Sequence, residues 1–387
     1  MLPAPAVTIP FVSEAVGNTI LLVGSFLLLL LGAEVFTNGV EWFGHRLGVS
    51  ESATGSILAA VGTALPETMI PVIAIIQQQS GGGTAADEVG VGAILGAPFM
   101  LATIAMFLVG GSVLYFRGRR RFGAEMHFNS AATRRDLSFF LVGYSLAFIT
   151  ALVPSRTFDL AVGALLVVLY LIYVWRSLAS GELIEHEGLD DLHLGLILEE
   201  GLERIPGPYP NKRHRADPGT LLVGLQTLIA LGIIIGGAHL FVQEVQWAAQ
   251  DVLGIPAAVV ALLLAPLATE LPEKFNSVLW ISRDKDTLAL GNITGAMAFQ
   301  GTLPVTLGIV FTSWNLSLSW GTTGFLNGFS AVLAIVSGGI LYLRARSVGD
   351  GNMLPRPFLL GGLFYLLFIA VLVYHVLVFD LSVGAHG

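Results

Sequence analysis

The sequence contains no cysteine, and only 12% of its 387 residues are charged. Without cysteine the chain forms no disulfide bond, offers no thiolate to a metal ion and has no cysteine nucleophile. A His-Glu-x-x-His motif is also absent. An intramembrane enzyme would need a nucleophile and base or a metal motif, so we expect that the chain is not an enzyme.

Basic residues are scarce at the start of the chain, where the first seventeen residues hold neither Lys nor Arg. A secretory signal peptide opens with a positively charged region, so we expect the first apolar run to be a retained membrane span. The net charge of -8 is modest and predicts no nucleic-acid partner. The sequence indicates neither a partner protein nor a resident cofactor.

Apolar residues are in excess: they make up 54% of the chain, and the mean hydropathy is +0.78. They fall in runs of about twenty residues or more, the length that a helix needs to cross a bilayer. We therefore predict an all-α integral membrane protein of the cell membrane, surrounded by lipid. Ten transmembrane helices are predicted, at residues 18–44, 53–78, 88–114, 137–153, 158–177, 218–249, 255–282, 286–311, 321–343 and 357–380.

The loops between these spans carry their positive charge on one side. When loops are assigned to alternate sides of the membrane, 17 of the 19 Lys and Arg residues fall together. Arg156 lies on the other side, and Lys274 lies within a span. Since loops rich in Lys and Arg stay in the cytoplasm, this side is predicted to be cytoplasmic and both termini are predicted to face outward.

The longest polar connection, residues 178–217, separates two halves of five spans each, residues 1–177 and 218–387. It is acidic in its first part and basic around residues 210–215. A solvated cytoplasmic linker and a regulatory ion sensor both fit this composition. The absence of EF-hand spacing favours the linker.

The two halves are repeats of each other. Residues 32–42 align with 237–247, and residues 48–67 align without a gap with 254–273. Because each half has an odd number of spans, the second half is predicted to cross the membrane upside down relative to the first. The second and seventh spans should then meet near the middle of the bilayer.

Each of these two spans carries a proline followed by a glutamate. Residues 62–67 read Gly-Thr-Ala-Leu-Pro-Glu, and residues 268–273 read Ala-Thr-Glu-Leu-Pro-Glu. Proline has no N–H and crowds the carbonyl four residues earlier, so we expect both helices to be broken there. The carbonyls that lose their helical partner are those of Gly62 and Ala268.

Hard oxygen atoms gather around each proline. The hydroxyls of Thr63 and Thr269 and the carboxylates of Glu67 and Glu273 lie beside the freed carbonyls in sequence. Oxygen ligands of this kind suit sodium, calcium and magnesium ions. A carboxylate at the centre of a membrane helix costs about 2.5–3.5 kcal/mol, so a transported cation is the simplest explanation for two of them.

The sequence resembles the calcium/cation antiporter superfamily, which includes sodium/calcium exchangers. The resemblance rests on the paired Thr-x-Leu-Pro-Glu motifs, each followed in the next span by Gly-x-Ile-x-Gly, at residues 92–96 and 291–295. It covers nearly the whole chain and agrees with two inverted five-span repeats. It implies that Glu67 and Glu273 are the central cation ligands, with Thr63 and Thr269 beside them. It also makes the first and sixth spans the candidates for sliding past the rest.

The sequence departs from the superfamily pattern near both motifs. Ser usually follows the motif threonine, and this chain has Ala64 and Glu270 there. The Gly-Ser-Asn (or Asp) pattern of the third and eighth spans becomes Gly-Ala-Pro at 96–98 and Gly-Ala-Met at 295–297. These changes remove several oxygen ligands that the resemblance would imply.

Lys274, directly after Glu273, is also foreign to that pattern. Glu270 precedes Lys274 by four residues, the favourable orientation for an ion pair on a helix. If they pair, Glu67 and Glu273 leave a net charge of about -2 in the site, and the ammonium stands in for one bound cation. The alternative is that Lys274 points into a polar crevice and has no role in transport.

Other polar residues lie within the predicted spans, and some occupy matching positions in the first and sixth. They either line the ion pathway or, as we favour, lie near the membrane surfaces and face water or one another. Single amides either replace lost ligands or form hydrogen bonds between helices. The matching pairs are Glu34 with His239, Gly39 with Glu244 and Glu41 with Gln246; the amides are Asn276, Asn292 and Gln300.

These features predict a secondary active antiporter that exchanges sodium for calcium by alternating access. Glu270 adds a titratable carboxyl group, so a proton-coupled antiporter for calcium or another cation is the alternative. A cation channel tolerates the same carboxylates, but an inverted duplication favours a carrier. The ions expected are therefore Ca2+ and Na+, with H+ as the alternative coupling ion.

Overall fold

The structure, a computed structural model, describes residues 13–46, 59–179, 191–195, 218–314, 316, 318–348 and 352–379. Within these ranges the chain is mainly helical. The helices are α1 Glu14–Arg46, α2 Ala59–Gln77, α3 Gly83–Met100, α4 Met106–Phe116, α5 Ser130–Thr150, α6 Arg156–Ala179, α7 Thr220–Trp247, α8 Ala257–Ser282, α9 Asp286–Gln300, α10 Leu303–Phe311, α11 Thr323–Ser347 and α12 Arg356–Phe379. Two short strands, β1 Met126–His127 and β2 Asn352–Met353, pair antiparallel.

Seven helical stretches of the described chain are long and apolar enough to cross a membrane. They are Glu14–Val40, Gly83–Phe116, Arg156–Ser177, Thr220–Leu253, Asp286–Phe311, Thr323–Ser347 and Arg356–Phe379. The chain is thus a multi-pass membrane protein, as predicted. The other three predicted spans coincide with α2, α5 and α8, and parts of α2 and α8 lie outside the residues that were searched. The count of ten spans therefore stays a prediction.

Helices α2 and α8 continue through Pro66 and Pro272. The prediction that these prolines break the two helices is therefore wrong. A proline removes one hydrogen bond, but its φ of about -65° suits an α-helix, so the bonds on either side can hold the helix together. The carbonyls of Gly62 and Ala268 still face a residue that has no N–H to donate.

Helices α1 and α7 pack antiparallel along a line of small residues. Gly32 lies against Ile234, and a Cβ added to this glycine would be 2.8 Å from the Ile234 side chain. Gly237 lies against Leu29 of α1 in the same way, at 3.3 Å. The repeat alignment pairs Gly32 with Gly237 and, carried back three residues, Leu29 with Ile234. The two contacts are therefore equivalent when the halves are exchanged.

Helix α3 lies against α8 through the two glycines of its Gly-x-Ile-x-Gly segment. A methyl group on Gly92 would overlap the carbonyl of Ala258, and one on Gly96 would overlap the carbonyl of Leu262. Both pairs are one helical turn apart, so the two backbones meet along a continuous edge. This contact holds α8, which carries the second acidic motif, directly against the third span.

Loops at one end of the helices are joined by a buried ion pair. Arg120 Nη2 lies 2.5 Å from Asp286 Oδ2, and neither side chain has exposed surface. Arg120 Nε also lies 3.4 Å from Asp284 Oδ1. The β1–β2 pair joins the loop after α4 to the loop after α11. We call this the Arg120 end.

Polar contacts also join the opposite end of the span Gly83–Phe116. The Asp87 carboxylate accepts hydrogen bonds from the backbone N–H and the hydroxyl of Ser313. Glu88 Oε2 accepts one from the backbone N–H of Ala257 at 3.0 Å, at the start of α8. We call this the Asp87 end.

Residues 191–195 of the central connection lie against α1 and α7. The fully buried Gln226 amide accepts a hydrogen bond from the Leu194 N–H at 2.7 Å and donates one to Asn38 Oδ1 at 2.8 Å. Leu192 packs into an apolar cluster beside them. Most of the predicted linker, including residues 180–190 and 196–217, lies outside the described residues.

We predict that Gly96→Ala destabilises the protein, because the added methyl group overlaps the α8 backbone. Overpacking of this kind costs about 1–3 kcal/mol. In the control Gly111→Ala, nothing lies within 4 Å of the added Cβ, and the change should be neutral or slightly stabilising. The melting temperatures of both variants in detergent test this, and equal stability would contradict the close α3–α8 contact.

Candidate cation site

Glu67 lies on the packed face of α2. It is 8% exposed, and Ile70 and Ala74, about one and two turns later, are buried too. Ala74 faces α3, where a Cβ on Gly90 would be 3.3 Å from the Ala74 methyl group. The carboxyl group thus belongs to the buried part of the helix rather than to its lipid face. This placement is typical of functional intramembrane carboxylates.

Thr269 and Glu270 lie in the corresponding part of α8 and are also buried, at 5% and 0% exposure. The Thr269 hydroxyl donates a hydrogen bond to the carbonyl of Ala265 at 3.1 Å. A hydroxyl oxygen that donates its proton keeps two lone pairs. Thr269 can therefore still offer an oxygen ligand to a cation.

Glu270 and Lys274 form the predicted ion pair. Lys274 Nζ lies 3.6 Å from Glu270 Oε2, and the two side chains are 3% and 0% exposed. Coulomb attraction is much stronger in so apolar a setting than in water, whereas each charge alone would be costly there. The structure thus places a fixed ammonium one residue after Glu273. That this ammonium replaces a transported cation stays a prediction.

The remaining predicted ligands belong to α2 and α8, but their surroundings lie outside the described part of the structure. These residues are Gly62, Thr63, Ala268 and Glu273. The two helices contact each other. The meeting of Glu67 and Glu273 therefore stays a prediction. Among the side chains that are described, no group of three or more His, Asp or Glu residues is arranged to hold a metal ion.

Helix α9 joins α8 through an amide. Asn292 donates a hydrogen bond to the Ser277 hydroxyl at 3.3 Å, and Ser277 donates to the carbonyl of Ala289 at 3.3 Å. Asn292 therefore forms a hydrogen bond between helices, one of its two predicted roles. Gln300, at 1% exposure, is buried in the same helix. The side chain of Asn276 lies outside the described residues.

Asp136 is a buried carboxylate that the sequence reasoning missed. It lies in the second turn of α5, where its Oδ2 accepts a hydrogen bond from Thr294 of α9 at 2.8 Å. Its Oδ1 lies 3.1 Å from Arg135 Nη2. The predicted span begins one residue later, at residue 137, which places Asp136 in a loop. Its partners fix α5 against α9 and neutralise its charge.

Glu34 and His239, which occupy matching positions in the halves, have different surroundings. The Glu34 side chain is 64% exposed, and its Oε1 lies 3.6 Å from His193 Nε2. His239 faces α2, where Gln77 Nε2 lies 3.0 Å from its Nδ1. Gln243 Nε2 lies 3.1 Å from the other ring nitrogen of His239, Nε2. Gln77 was not predicted, because an amide at a helix end reads as an ordinary interface residue.

In the pair Gly39 and Glu244, too, the two residues have different surroundings. A Cβ on Gly39 would meet the Thr227 hydroxyl of α7 at 2.6 Å, whereas Glu244 is buried at 6% exposure. Gln246 is partly buried, and the side chain of Glu41 lies outside the described residues. These positions give no second cluster of carboxylates among the described side chains.

Comparison with known proteins places these features in a family. The sequence profile described as "Sodium/calcium exchanger protein" matches residues 17–179 and 223–378. The protein CaxA of Alkalimonas amylolytica is 23% identical over 283 residues, which cover 73% of this chain and 77% of that protein. The sodium/calcium exchanger MaX1 of Methanosarcina acetivorans is 41% identical over 64 residues, 15% of this chain and 18% of that protein.

Two solved structures have a similar fold. The H+/Ca2+ exchanger CAX superposes with a TM-score of 0.59 at 17% identity, covering 94% of this chain and 89% of that one. The sodium-calcium exchanger NCX_Mj superposes with a TM-score of 0.54 at 18% identity, covering 92% and 99%. At such low identity the two structures show a shared fold alone.

We predict that Lys274→Met destabilises the protein more than the double change Glu270→Gln/Lys274→Met. Removing one partner of a buried ion pair leaves an uncompensated charge and costs about 3–5 kcal/mol, whereas neutral replacements of both avoid that cost. The melting temperatures of the single and double variants in detergent measure the difference. A double variant that is less stable than Lys274→Met would contradict a buried pair.

Proposed function

Because the chain belongs to the sodium/calcium exchanger protein family, we propose that it is a secondary active antiporter that exchanges sodium for calcium by alternating access. The observation that carries this proposal is the family match, which covers residues 17–179 and 223–378 and so includes both acidic motifs. The buried position of Glu67 within the first motif supports it.

The transported cation is bound between α2 and α8, with Glu67 and Glu273 as its central ligands. The burial of Glu67 and Thr269 and the contact between the two helices support this arrangement. Two carboxylates at mid-membrane would together cost about 5–7 kcal/mol, and a bound cation offsets that cost. The further ligands in the proposal are Thr63, Thr269, Glu270 and the carbonyls of Gly62 and Ala268.

The fold consists of two inverted five-helix repeats, residues 1–177 and 218–387. The equivalent glycine contacts between α1 and α7 support this symmetry. So does the packing of α6 on α10 and of α12 on α4, because exchanging the halves converts one contact into the other. Inverted repeats place a binding site near the bilayer midplane, where rocking or sliding opens it to each side in turn.

The Arg120 end is cytoplasmic in this proposal, and both termini and the Asp87 end face outward. The Arg120 end contains the loops after α4, α8 and α11, whereas the Asp87 end contains those after α2, α7 and α10. This division supports ten spans with loops on alternate sides. The excess of Lys and Arg then gives the orientation, with the 178–217 linker in the cytoplasm.

Exchange of protons for calcium, or for another cation, is the second candidate function. Two observations favour it: the buried Glu270 adds a carboxyl group beside the second motif, and the solved structure of an H+/Ca2+ exchanger shares the fold. A titratable carboxyl group beside the cation site is what proton coupling needs.

We predict that the purified protein in lipid vesicles takes up radiolabelled calcium when an outward sodium gradient is imposed. Glu67→Gln and Glu273→Gln should each lower this uptake by about tenfold or more, because each removes a charged ligand. Glu14→Gln, at an exposed position at the start of α1, is the matched control and should leave uptake unchanged.

Each outcome of this measurement distinguishes between the candidate functions. Uptake driven by a pH gradient and not by sodium would favour the proton-coupled antiporter. Uptake that needs no counter-ion would favour a channel. Near-normal uptake by either Glu→Gln variant would contradict the proposed site.

We also predict that Lys274→Met changes the number of cations moved per cycle, because it removes the fixed ammonium that pairs with Glu270. The membrane potential at which net flux reverses in vesicles reports this stoichiometry. Glu270→Gln is the complementary variant. An unchanged reversal potential and calcium affinity in both variants would show that the pair has no role in ion coupling.

A further inference from the structure

The hydrogen bonds between Gln77 and His239 join α2, which carries the first acidic motif, to α7, the sixth predicted span. Gln77 is the last residue of α2, ten positions and about 15 Å beyond Glu67. Its amide contacts His239 Nδ1 at 3.0 Å and also donates to the His239 carbonyl at 3.3 Å. These contacts fix the end of α2 that leads to the Asp87 end against the side of α7.

In the proposed mechanism, on which this inference rests, α1 and α7 slide while α2 and α8 hold the cation. A contact between α2 and α7 cannot survive such a movement unchanged. The Gln77–His239 contact therefore belongs to one transport state, the one in which α7 closes the outer part of α2.

Repeat symmetry identifies the counterpart of this contact. His239 aligns with Glu34, and extending the gap-free alignment of residues 48–67 and 254–273 to the helix ends places Gln77 opposite Arg283. In an inverted repeat, the two states are related by exchanging the conformations of the halves. The contact equivalent to Gln77–His239 is then Glu34–Arg283, at the Arg120 end.

In the present structure the Gln77–His239 contact is formed, and the Glu34 side chain lies elsewhere. The Glu34 carboxylate is 64% exposed and lies beside His193. Arg283 follows the last residue of α8 and is exposed at the Arg120 end, next to Asp284. A carboxylate and a guanidinium group therefore occupy the two positions that symmetry would bring together.

We propose that Gln77–His239 and Glu34–Arg283 are alternating latches, each formed in only one of the two transport states and each closing one face of the membrane. The latches differ in chemistry: the first joins an amide to an imidazole, and the second joins two opposite charges. Charge-assisted hydrogen bonds are about twice as strong as neutral ones. The charged latch therefore holds the inner face closed more firmly.

Cross-linking tests the proposal directly, because the chain has no cysteine of its own. The variants are Gln77→Cys/His239→Cys and Glu34→Cys/Arg283→Cys, treated in vesicles with an ethylene-bridged bis-methanethiosulfonate and analysed by mass spectrometry. Both pairs should cross-link, and each cross-link should abolish calcium exchange until a reductant is added. The matched controls, Ile76→Cys/His239→Cys and Glu34→Cys/Ser282→Cys, move one cysteine by one residue and should cross-link at least several-fold less.

The state dependence needs a second measurement. Adding His239→Leu to the Glu34→Cys/Arg283→Cys protein removes the first latch and should raise cross-linking of the second pair several-fold. No cross-link between positions 34 and 283 in either background would overturn the proposal, as would a yield that His239→Leu leaves unchanged. Elution of each variant as a monodisperse peak in size-exclusion chromatography confirms that it folds.

The cross-linking yield does not depend on which ions are carried. Failure of sodium-driven calcium uptake together with alternating cross-links would therefore reject the proposed function and keep the latches. Normal uptake with no cross-link between positions 34 and 283 would reject the latches and keep the proposed function.

Discussion

The cost of holding carboxylates inside an apolar helix bundle is the constraint on which this structure depends. The chain has two means of meeting that cost. Glu270 pairs with Lys274, 3.6 Å away in the same helix. In the proposal, Glu67 and Glu273 instead take a cation from solution. A carrier requires such an ion, because the ion must bind and also leave.

Close backbone packing gives these helices their positions. Hydrophobic burial contributes little to helix association in lipid, so van der Waals contact through small residues takes its place. Gly92 and Gly96 bring α3 against α8, and Gly32 and Gly237 bring α1 against α7. The Arg120 end is further held by a fully buried ion pair to Asp286. Glycine contacts thus fix α8, which carries the second acidic motif, against α3, and a polar contact from Glu88 holds its first residue.

Features that depend on local spacing could be predicted from the sequence, and features that depend on distant partners could not. The helical membrane fold follows from hydropathy, and the Glu270–Lys274 pair follows from a separation of four residues. The contact between Arg120 and Asp286, 166 residues apart, has no local signal. The same is true of Gln77 and His239, 162 residues apart. Asp136 was missed because its charge and that of Arg135 made the start of α5 look like a loop.

The proline motifs illustrate a different error. Pro66 and Pro272 correctly drew attention to the two acidic helices, but the backbone remains helical through both. Loss of one hydrogen bond need not break a helix, because the hydrogen bonds on either side of the proline remain. An oxygen-rich site can therefore arise on a continuous helix.

The most direct measurement is anomalous diffraction from crystals of the full chain soaked in strontium, a heavier substitute for calcium. The peak should lie between α2 and α8, within coordination distance of the carboxylates of Glu67 and Glu273, at roughly 2.3–2.6 Å or slightly more. A structure in which these two carboxylates lie on separate surfaces and the strontium binds elsewhere would contradict the central claim.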